Sequence, residues 1–210
     1  MRILYSDLHM RPERIEDCEK VSNEIVDIAV KLRKKIKKAV RIVNGGDTFH
    51  TRGLIRTVCF DRLYWHYDRW LREGFEQDII VGNHDQEDRA GEIHPMRVFA
   101  SFDGWNIVDK PMTIDGVAYF PYMQRDLIQK AISDQKLLAP AKDAIVHWGI
   151  CGAMRNDKNK DTDGVPVEWL RGFRNVFSGH YHFRNKFENV QYIGSPLQQN
   201  FGEMGQEKGV

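Results

Sequence analysis

The strongest constraint on the fold of this chain is where its Asp, Asn and His residues fall: directly behind short runs of β-type sequence. Such runs, rich in Ile, Val, Tyr and Phe and bounded by Gly, Asp or Asn, lie at 2–6, 39–43, 78–81, 105–108, 117–120, 144–147, 175–178 and 190–193. The first leads into Ser6-Asp7-Leu8-His9, and the second into Asn44-Gly45-Gly46-Asp47 and then Thr48-Phe49-His50. The third leads into Gly82-Asn83-His84-Asp85. The run at 144 ends in His147-Trp148-Gly149, and the run at 175 leads into Gly179-His180-Tyr181-His182. In open α/β sheets, ligands bind outside the carboxyl ends of the strands. Five strands would therefore deliver Asp, His, Asp, Asn, His, His and His to one sheet edge.

Helical periodicity fills the gaps between these runs. Val21, Ile25, Ile28, Leu32 and Ile36 recur at steps of four, three, four and four, which is one stripe of an amphipathic helix. A second helix is expected over about 57–73, with Phe60, Leu63, Tyr64, Tyr67, Trp70 and Leu71 on one face and Gly74 as its stop. Trp65 and His66 fall off that face. Weaker helical patterns cover 96–102, 126–138 and 167–171. This alternation predicts an α/β fold with a mostly parallel sheet at its start. The closely spaced strands of 105–121 predict hairpins and a mixed sheet there. The tail, Glu207-Lys208-Gly209-Val210, reads like the start of a further strand.

The 210 residues fit one domain, or one with a small appendage. A hydrophobic fraction of 41% provides a core, and 11% aromatics with a net charge of +1 exclude a chain disordered throughout. No apolar run approaches the roughly 20 residues that cross a bilayer, and Asp7 interrupts the short apolar start, so neither a membrane span nor a signal peptide is expected. Cys18, Cys59 and Cys151 are odd in number and far apart, which suits a reducing compartment better than a disulfide framework. The balanced charge excludes a histone-like basic coat and leaves local recognition of a polyanion open.

Two divalent ions roughly 3.5–4 Å apart clamp a phosphate and supply a hydroxide, and such a pair needs about seven ligands with a carboxylate shared between the ions. The residues behind the five strands supply that number. Their mixture of oxygen and nitrogen suits Mn, Fe or Zn better than Mg or Ca. Gly46, Gly82 and Gly179, just ahead of Asp47, Asn83 and His180, permit sharp turns and close backbone approach. Each piece alone has a plainer reading as a turn, a hydrogen-bonded loop or a solvated histidine. Together the plain readings require five coincidences in order, each at a strand end.

The order D-x-H, G-D, G-N-H-D, H and G-H-x-H resembles the calcineurin-like metallophosphoesterase superfamily from Asp7 to His182. The resemblance implies two packed mixed sheets flanked by helices, a four-layer α/β/β/α sandwich. It implies two divalent metal ions, Mn first, with Fe, Zn or Mg as alternatives. One would be held by Asp7, His9, Asp47 and His182, the other by Asp47, Asn83, His147 and His180, with Asp47 bridging. A hydroxide shared by the ions would attack phosphorus while His84 contacts the phosphate and protonates the leaving oxygen. An in-line displacement independently requires a general acid opposite the nucleophile. Asp85 is a further catalytic candidate, either orienting His84 or capping the following turn.

Within that superfamily, the segment 45–53, GGDTFHTRG, resembles the G-D-x-F-H segment of the SbcD and meiotic recombination 11 DNA-repair nucleases. Protein phosphatases of the superfamily carry D-R-G soon after their G-D; here Arg52-Gly53 lacks the Asp and is displaced by one position. Gly194-Ser195-Pro196 and Gln199-Asn200-Phe201-Gly202-Glu203 resemble the G-S-P…F-G-E segment of SbcD-type nucleases. The resemblance implies a DNA exonuclease and endonuclease of repair and recombination, cytoplasmic and nucleoid-associated, with DNA as substrate and an SbcC-type ATPase as partner. Full-length relatives continue into a DNA-capping domain and partner-binding helices. A single nuclease-core domain over 1–210 is expected here, with those regions absent or truncated.

His50 is either a surface turn residue or a second active-site histidine beside the scissile phosphate. Arg11, Arg52, Arg56 and Arg89 follow the motif strands and are candidates for phosphate contact, each against a reading as a solvated loop residue. Seven basic residues in 31–41 read as a solvated helix end, at the edge opposite the metal ligands. The stretch 155–164 reads as a mobile polar loop that could touch substrate, though its mixed charge favours plain solvation; its Asp and Asn lack the spacing and final Glu of a calcium loop. The aromatic density of 60–70 suits ordinary packing or a homodimer interface. Two other functions compete with a nuclease: a phosphomonoesterase or small-nucleotide phosphodiesterase on the same dimetal core, and a non-catalytic scaffold. His50 and the Q-N-F-G-E segment count against the first, and the complete ligand set against the second.

Overall fold

A computed structural model describes residues 1–88, 90–138, 140–156 and 158–209, with 136–138 described by their backbone. Strands β1 (Arg2–Tyr5), β2 (Arg41–Asn44), β3 (Glu76–Ile80) and β4 (Trp105–Val108) pair in that order, all parallel. Helix α1 (Ile15–Ile36) links β1 to β2, and α2 (Thr57–Arg72) links β2 to β3. Each crossover returns the chain to the same direction, as parallel pairing requires.

The second sheet has the order β5 (Met112–Ile114), β6 (Val117–Phe120), β7 (Asp143–Val146), β8 (Asn175–Ser178), β10 (Val190–Tyr192), β9 (Lys186–Phe187). Its four inner strands are parallel, and the hairpin partners β5 and β9 pair antiparallel at its edges. Helix α3 (Arg125–Leu138) crosses from β6 to β7.

Alternation along the strands sorts the apolar side chains into three layers. Ile3, Tyr5, Ile42, Ile79 and Trp105 pack with α1 and α2 residues such as Ile25, Leu63 and Trp70. Val43, Ile80 and Val108 meet Tyr119 and Ile145 of the second sheet. Ala118, Phe120, Val146 and Val176 pack with Ile128 and Ile132 of α3. Helices, sheet, sheet and helix thus follow one another. Buried Asp78 of β3 also ties the sheets, accepting from Tyr119 Oη at 2.8 Å, Arg41 Nη1 at 2.7 Å and Asn106 Nδ2 at 2.8 Å.

Several expectations shift in detail. The buried face of α1 runs through Cys18, Ser22, Ile25 and Ala29, so Ile28 of the predicted stripe lies on its flank, 41% exposed. On α2, His66 is buried, whereas Tyr64 is half exposed together with Trp65. Packing against α1 widens the buried face on that side, and Glu19 lies 3.8 Å from His66. The weak helical patterns near 96 and 167 are 3₁₀ turns, Pro95–Ser101 and Val167–Leu170. Residues 207–209 form no strand, because Lys208 turns inward to Glu203 Oε2 at 2.6 Å. Among the described residues, no helix is long and apolar enough to cross a membrane.

Candidate metal centre

The loops behind β1, β2 and β3 converge with those behind β7 and β8. The β1–β2 ladder continues past the strand ends: the N–H groups of Asp7, His9 and Met10 donate to the carbonyls of Gly46, Asp47 and Thr48 at 2.9, 3.0 and 2.8 Å. Asp7, His9, Asp47 and His180 have φ of 58°, 48°, 53° and 88°, a region that side-chain-bearing residues seldom occupy. Four such residues in one place mark a backbone held by its surroundings. Close approach depends on two glycines. A Cβ on Gly82 would overlap the Asp47 amide nitrogen and Oδ1, and one on Gly179 would overlap Ser6 Oγ.

Three groups of ligand atoms result among the described residues: Asp7, His9 and His182; Asp47, His147 and His180; and His9, His50 and His84, which shares His9 with the first and has no carboxylate. In the first, His9 Nε2 lies 3.0 Å from His182 Nε2 and 3.9 Å from Asp7 Oδ1. In the second, Asn83 Oδ1 lies 3.1 Å from His147 Nε2 and 2.8 Å from His180 Nδ1. Asp47 stands between them, with Oδ2 3.7 Å from His9 Nε2 and Oδ1 3.3 Å from His147 Nε2. His84 adjoins, its ring 4.8 Å from that of His9. Its N–H donates to Asp47 Oδ1 at 2.8 Å, and its Nδ1 lies 2.5 Å from the His50 carbonyl. The His50 ring stacks 5.9 Å from that of His84.

The outer nitrogens test whether cations fit. His182 Nδ1 lies 2.8 Å from Glu203 Oε1, and His147 Nδ1 lies 2.7 Å from the Gly45 carbonyl. Both partners are acceptors, so both Nδ1 atoms donate, and in its neutral form, the one that binds a cation, each ring turns an Nε2 lone pair inward. Those lone pairs meet the Asn83 amide oxygen, the Asp47 carboxylate and His9 Nε2. In that form acceptors crowd a buried space, an arrangement that a cation relieves as a proton on the ring does. The donor set, imidazole with carboxylate and amide oxygen, fits a divalent transition metal.

The electrostatics follow from burial and proximity. Burial lifts the Asp7 carboxyl more than His147 and His182 lower it. Burial acts likewise on Asp47, but His147, His9 and His84 overcome it and hold Asp47 well below the usual carboxylate range. Burial would lower His147, yet Asp47 and Asp7 beside it raise it to about 9. Burial, with His147 nearby, pushes His180 down to about 3. Asp85, buried and close to Asp47, is lifted to about 7.

The remaining candidates lie around this centre. Asp85 accepts the N–H groups of Phe49 at 3.0 Å and Gly82 at 3.1 Å, the contacts of a turn cap that also ties two ligand loops together. Arg11 Nη1 lies 3.2 Å from His50 Nδ1, and its Nη2 donates to the Gln199 carbonyl at 3.1 Å. Arg52 lines an open cleft of about 460 Å³ together with Asn83. Arg56 precedes α2 and lines a shallow pocket with Arg11 and Phe49. Arg89 lies outside the described residues.

Sequence reasoning left three supporting residues without a role. Glu203 bonds His182, from 21 residues along the chain. Gln199 Nε2 donates to the carbonyls of Asp7 and Leu8 at 3.1 and 3.3 Å. Asn44 Nδ2 donates to Thr48 Oγ1 at 2.8 Å while its Oδ1 accepts the Gly46 N–H at 3.0 Å. The Q-N-F-G-E segment was the available signal for the first two.

Fold and centre together define an α/β protein with an Asp, Asn and His cluster at the carboxyl ends of strands from both sheets. No model of a known protein family matches the chain. The chain is similar to "Exonuclease subunit 1" of Enterobacteria phage T4, with 27% identity over 143 residues, 65% of this chain and 41% of that protein. It thus spans less than half the length of the curated relative it matches.

Proposed function

We propose that the chain is the core of a metal-dependent DNA nuclease, a phosphodiesterase of the calcineurin-like metallophosphoesterase type in its SbcD and meiotic recombination 11 branch. The observation that carries this reading is Asp47, with one carboxylate oxygen toward His9 and the other toward His147. A carboxylate so placed suits a bridge between two cations. One would be held by Asp7, His9, Asp47 and His182, the other by Asp47, Asn83, His147 and His180, with Mn the first choice over Fe, Zn or Mg. When bound, such cations neutralise phosphate charge and lower the pKa of water. The likeness to an exonuclease subunit supports DNA as the substrate.

The chain's own residues supply the rest. His84 Nδ1 donates to the His50 carbonyl, which leaves Nε2 to carry the proton that the departing sugar oxygen takes up. The His84 N–H on Asp47 ties this acid to the bridging carboxylate. His50, stacked on His84, and Arg11 beside it suit contact with phosphate oxygens. Arg52, Arg56 and Arg89 are proposed for phosphates further along the strand. Asp85 serves the site by holding the loops of Phe49 and Gly82 together.

A single nuclease-core domain over 1–210 belongs to the same proposal, as does a cytoplasmic, nucleoid-associated location. The word "subunit" in the relative's name supports an assembly, with an SbcC-type ATPase or with a second copy. The half-exposed Tyr64 and Trp65 of α2 are the candidate contact for a homodimer.

Labelled DNA, bis-p-nitrophenyl phosphate and p-nitrophenyl phosphate, assayed side by side with Mn, test the reading. Cleavage of DNA and the diester, with the monoester poorly used, supports it. Hydrolysis of the monoester alone overturns it in favour of a phosphomonoesterase.

A further inference from the structure

Beside His180 the centre opens into a cleft of about 210 Å³ that the mechanism above does not use. Buried Trp148 and Ile128 form its base, and Tyr122, Tyr181, Arg125 and Arg155 line its more exposed parts. The Tyr122 ring lies 6.1 Å from that of His180 with the planes 29° apart, and the Tyr181 ring lies 4.9 Å from it. Two aromatic rings thus flank one of the proposed ligands.

Both tyrosines are held. The Tyr122 N–H donates to the Val81 carbonyl at 2.9 Å, and its own carbonyl accepts Gln86 Nε2 at 2.9 Å. Tyr181 stacks on Tyr192 with centroids 5.1 Å apart, and its Oη donates to Asp161 Oδ2 at 2.6 Å.

Asp161 builds this side of the cleft. It is 2% exposed, yet its Oδ1 accepts Arg155 Nη2 at 2.8 Å and the N–H groups of Asp163 and Gly164 at 3.0 Å each. It packs so tightly that a Cβ on Gly164 would overlap its Oδ2. The loop expected to be merely solvated is therefore anchored by one buried acid. Arg155 is held in place as a result, and a guanidinium has more donors than Asp161 and Asp163 together engage through Nη2.

The cleft continues in both directions. It shares Tyr122 and Arg125 with the cleft at Arg52 and Asn83, and Arg155 and His180 with one at His182 and Asn200. Together the three adjoining clefts are lined by residues assigned to both cations.

We propose that the cleft is a nucleotide subsite: an unpaired base stacks against Tyr122 while Arg155 contacts the phosphate next to the scissile one. The proposal rests on the nuclease reading and adds that the substrate is single-stranded at this point. Every base has a π-face and every phosphate accepts from a guanidinium, so this recognition tolerates any sequence. The space suits one nucleoside, and a duplex entering it must open. Asp161 and Asp163 offset the charges of Arg155 and Arg125, so stacking and hydrogen bonding outweigh long-range attraction here.

Binding of a labelled oligothymidylate of about ten nucleotides, followed by fluorescence anisotropy in EDTA, reads the subsite without cleavage. Tyr122→Leu and Arg155→Gln should each weaken binding about tenfold, and a blunt duplex should bind less well than the single strand. Tyr122→Leu leaves the Asp161 loop untouched, so it stands even where Arg155→Gln loosens that loop. Wild-type protein that cleaves DNA but does not bind the oligonucleotide, or variants that bind it equally well, overturn the subsite alone. Wild-type protein that neither binds nor cleaves overturns the nuclease reading with it.

Discussion

Glu203 holds His182: its Oε1 lies 2.8 Å from the imidazole Nδ1, while Lys208 Nζ bonds its Oε2 at 2.6 Å. Burial raises the Glu203 carboxyl, but His182, the Gln199 N–H and Lys208 outweigh it and hold the group down at about 2. A carboxylate fixed in this way sets the tautomer and direction of the ring. Glu203→Ala is expected to lower affinity for one cation by about 10–100-fold, and Glu203→Gln by less, since its amide oxygen still accepts. Calorimetric titration with Mn reads the difference, and equal affinities in all three proteins would contradict it.

His84→Ala should retain wild-type Mn binding and lose about 10²–10⁴-fold in DNA cleavage rate, the usual worth of a general acid. Metal content and single-turnover cleavage are measured on the same preparation. Near-normal cleavage, with wild-type contamination excluded, removes His84 from the proposed role.

Gly82→Ala places a methyl group against the Asp47 amide nitrogen and Oδ1. Overpacking of this kind costs about 1–3 kcal/mol. The urea midpoint should fall, and Mn binding should weaken at both proposed sites, since Asp47 is proposed to serve both. Unchanged Mn binding in the folded variant would contradict that shared role.

Asp161 gives a pH dependence with a definite sign. Burial raises its carboxyl, but Tyr181, the Asp163 N–H and Arg155 together bring it below the usual value. A depressed folded pKa means that the stabilisation is fully present above the unfolded value of about 3.9 and is lost as pH falls through the lower folded value. The stability gap between wild type and Asp161→Asn should therefore be constant near neutrality and shrink below about pH 4. Urea midpoints taken from pH 7 down to about pH 3 test this, and a gap that widens on acidification would reverse the sign.

Much of the centre was legible because it follows strand ends. Asp7, His9, Asp47, Asn83, His147, His180 and His182 each lie a few residues behind a β-type run, and parallel strands carry such positions to one edge. Gly82 and Gly179 were legible as points of close approach, though only the structure shows that Asp47 and Ser6 are what approach. Periodicity failed where packing was two-sided. His66 is buried because α1 covers that flank of α2, and nothing in the spacing of α2 marks it. Asp161 and Glu203 were hidden for a similar reason. Each acts across a loop or across the chain, so mixed local charge suggested solvation where one acid is in fact buried.

The central claim is a nuclease centre of two cations sharing Asp47. The most direct measurement is cleavage of labelled DNA by chelated protein as Mn is returned, with bound metal determined at each step. The account predicts no cleavage in chelator and recovery that saturates at two ions per chain, one for each ligand group that contains a carboxylate. Full cleavage in excess chelator, or none at any Mn concentration while two ions are bound, would contradict it.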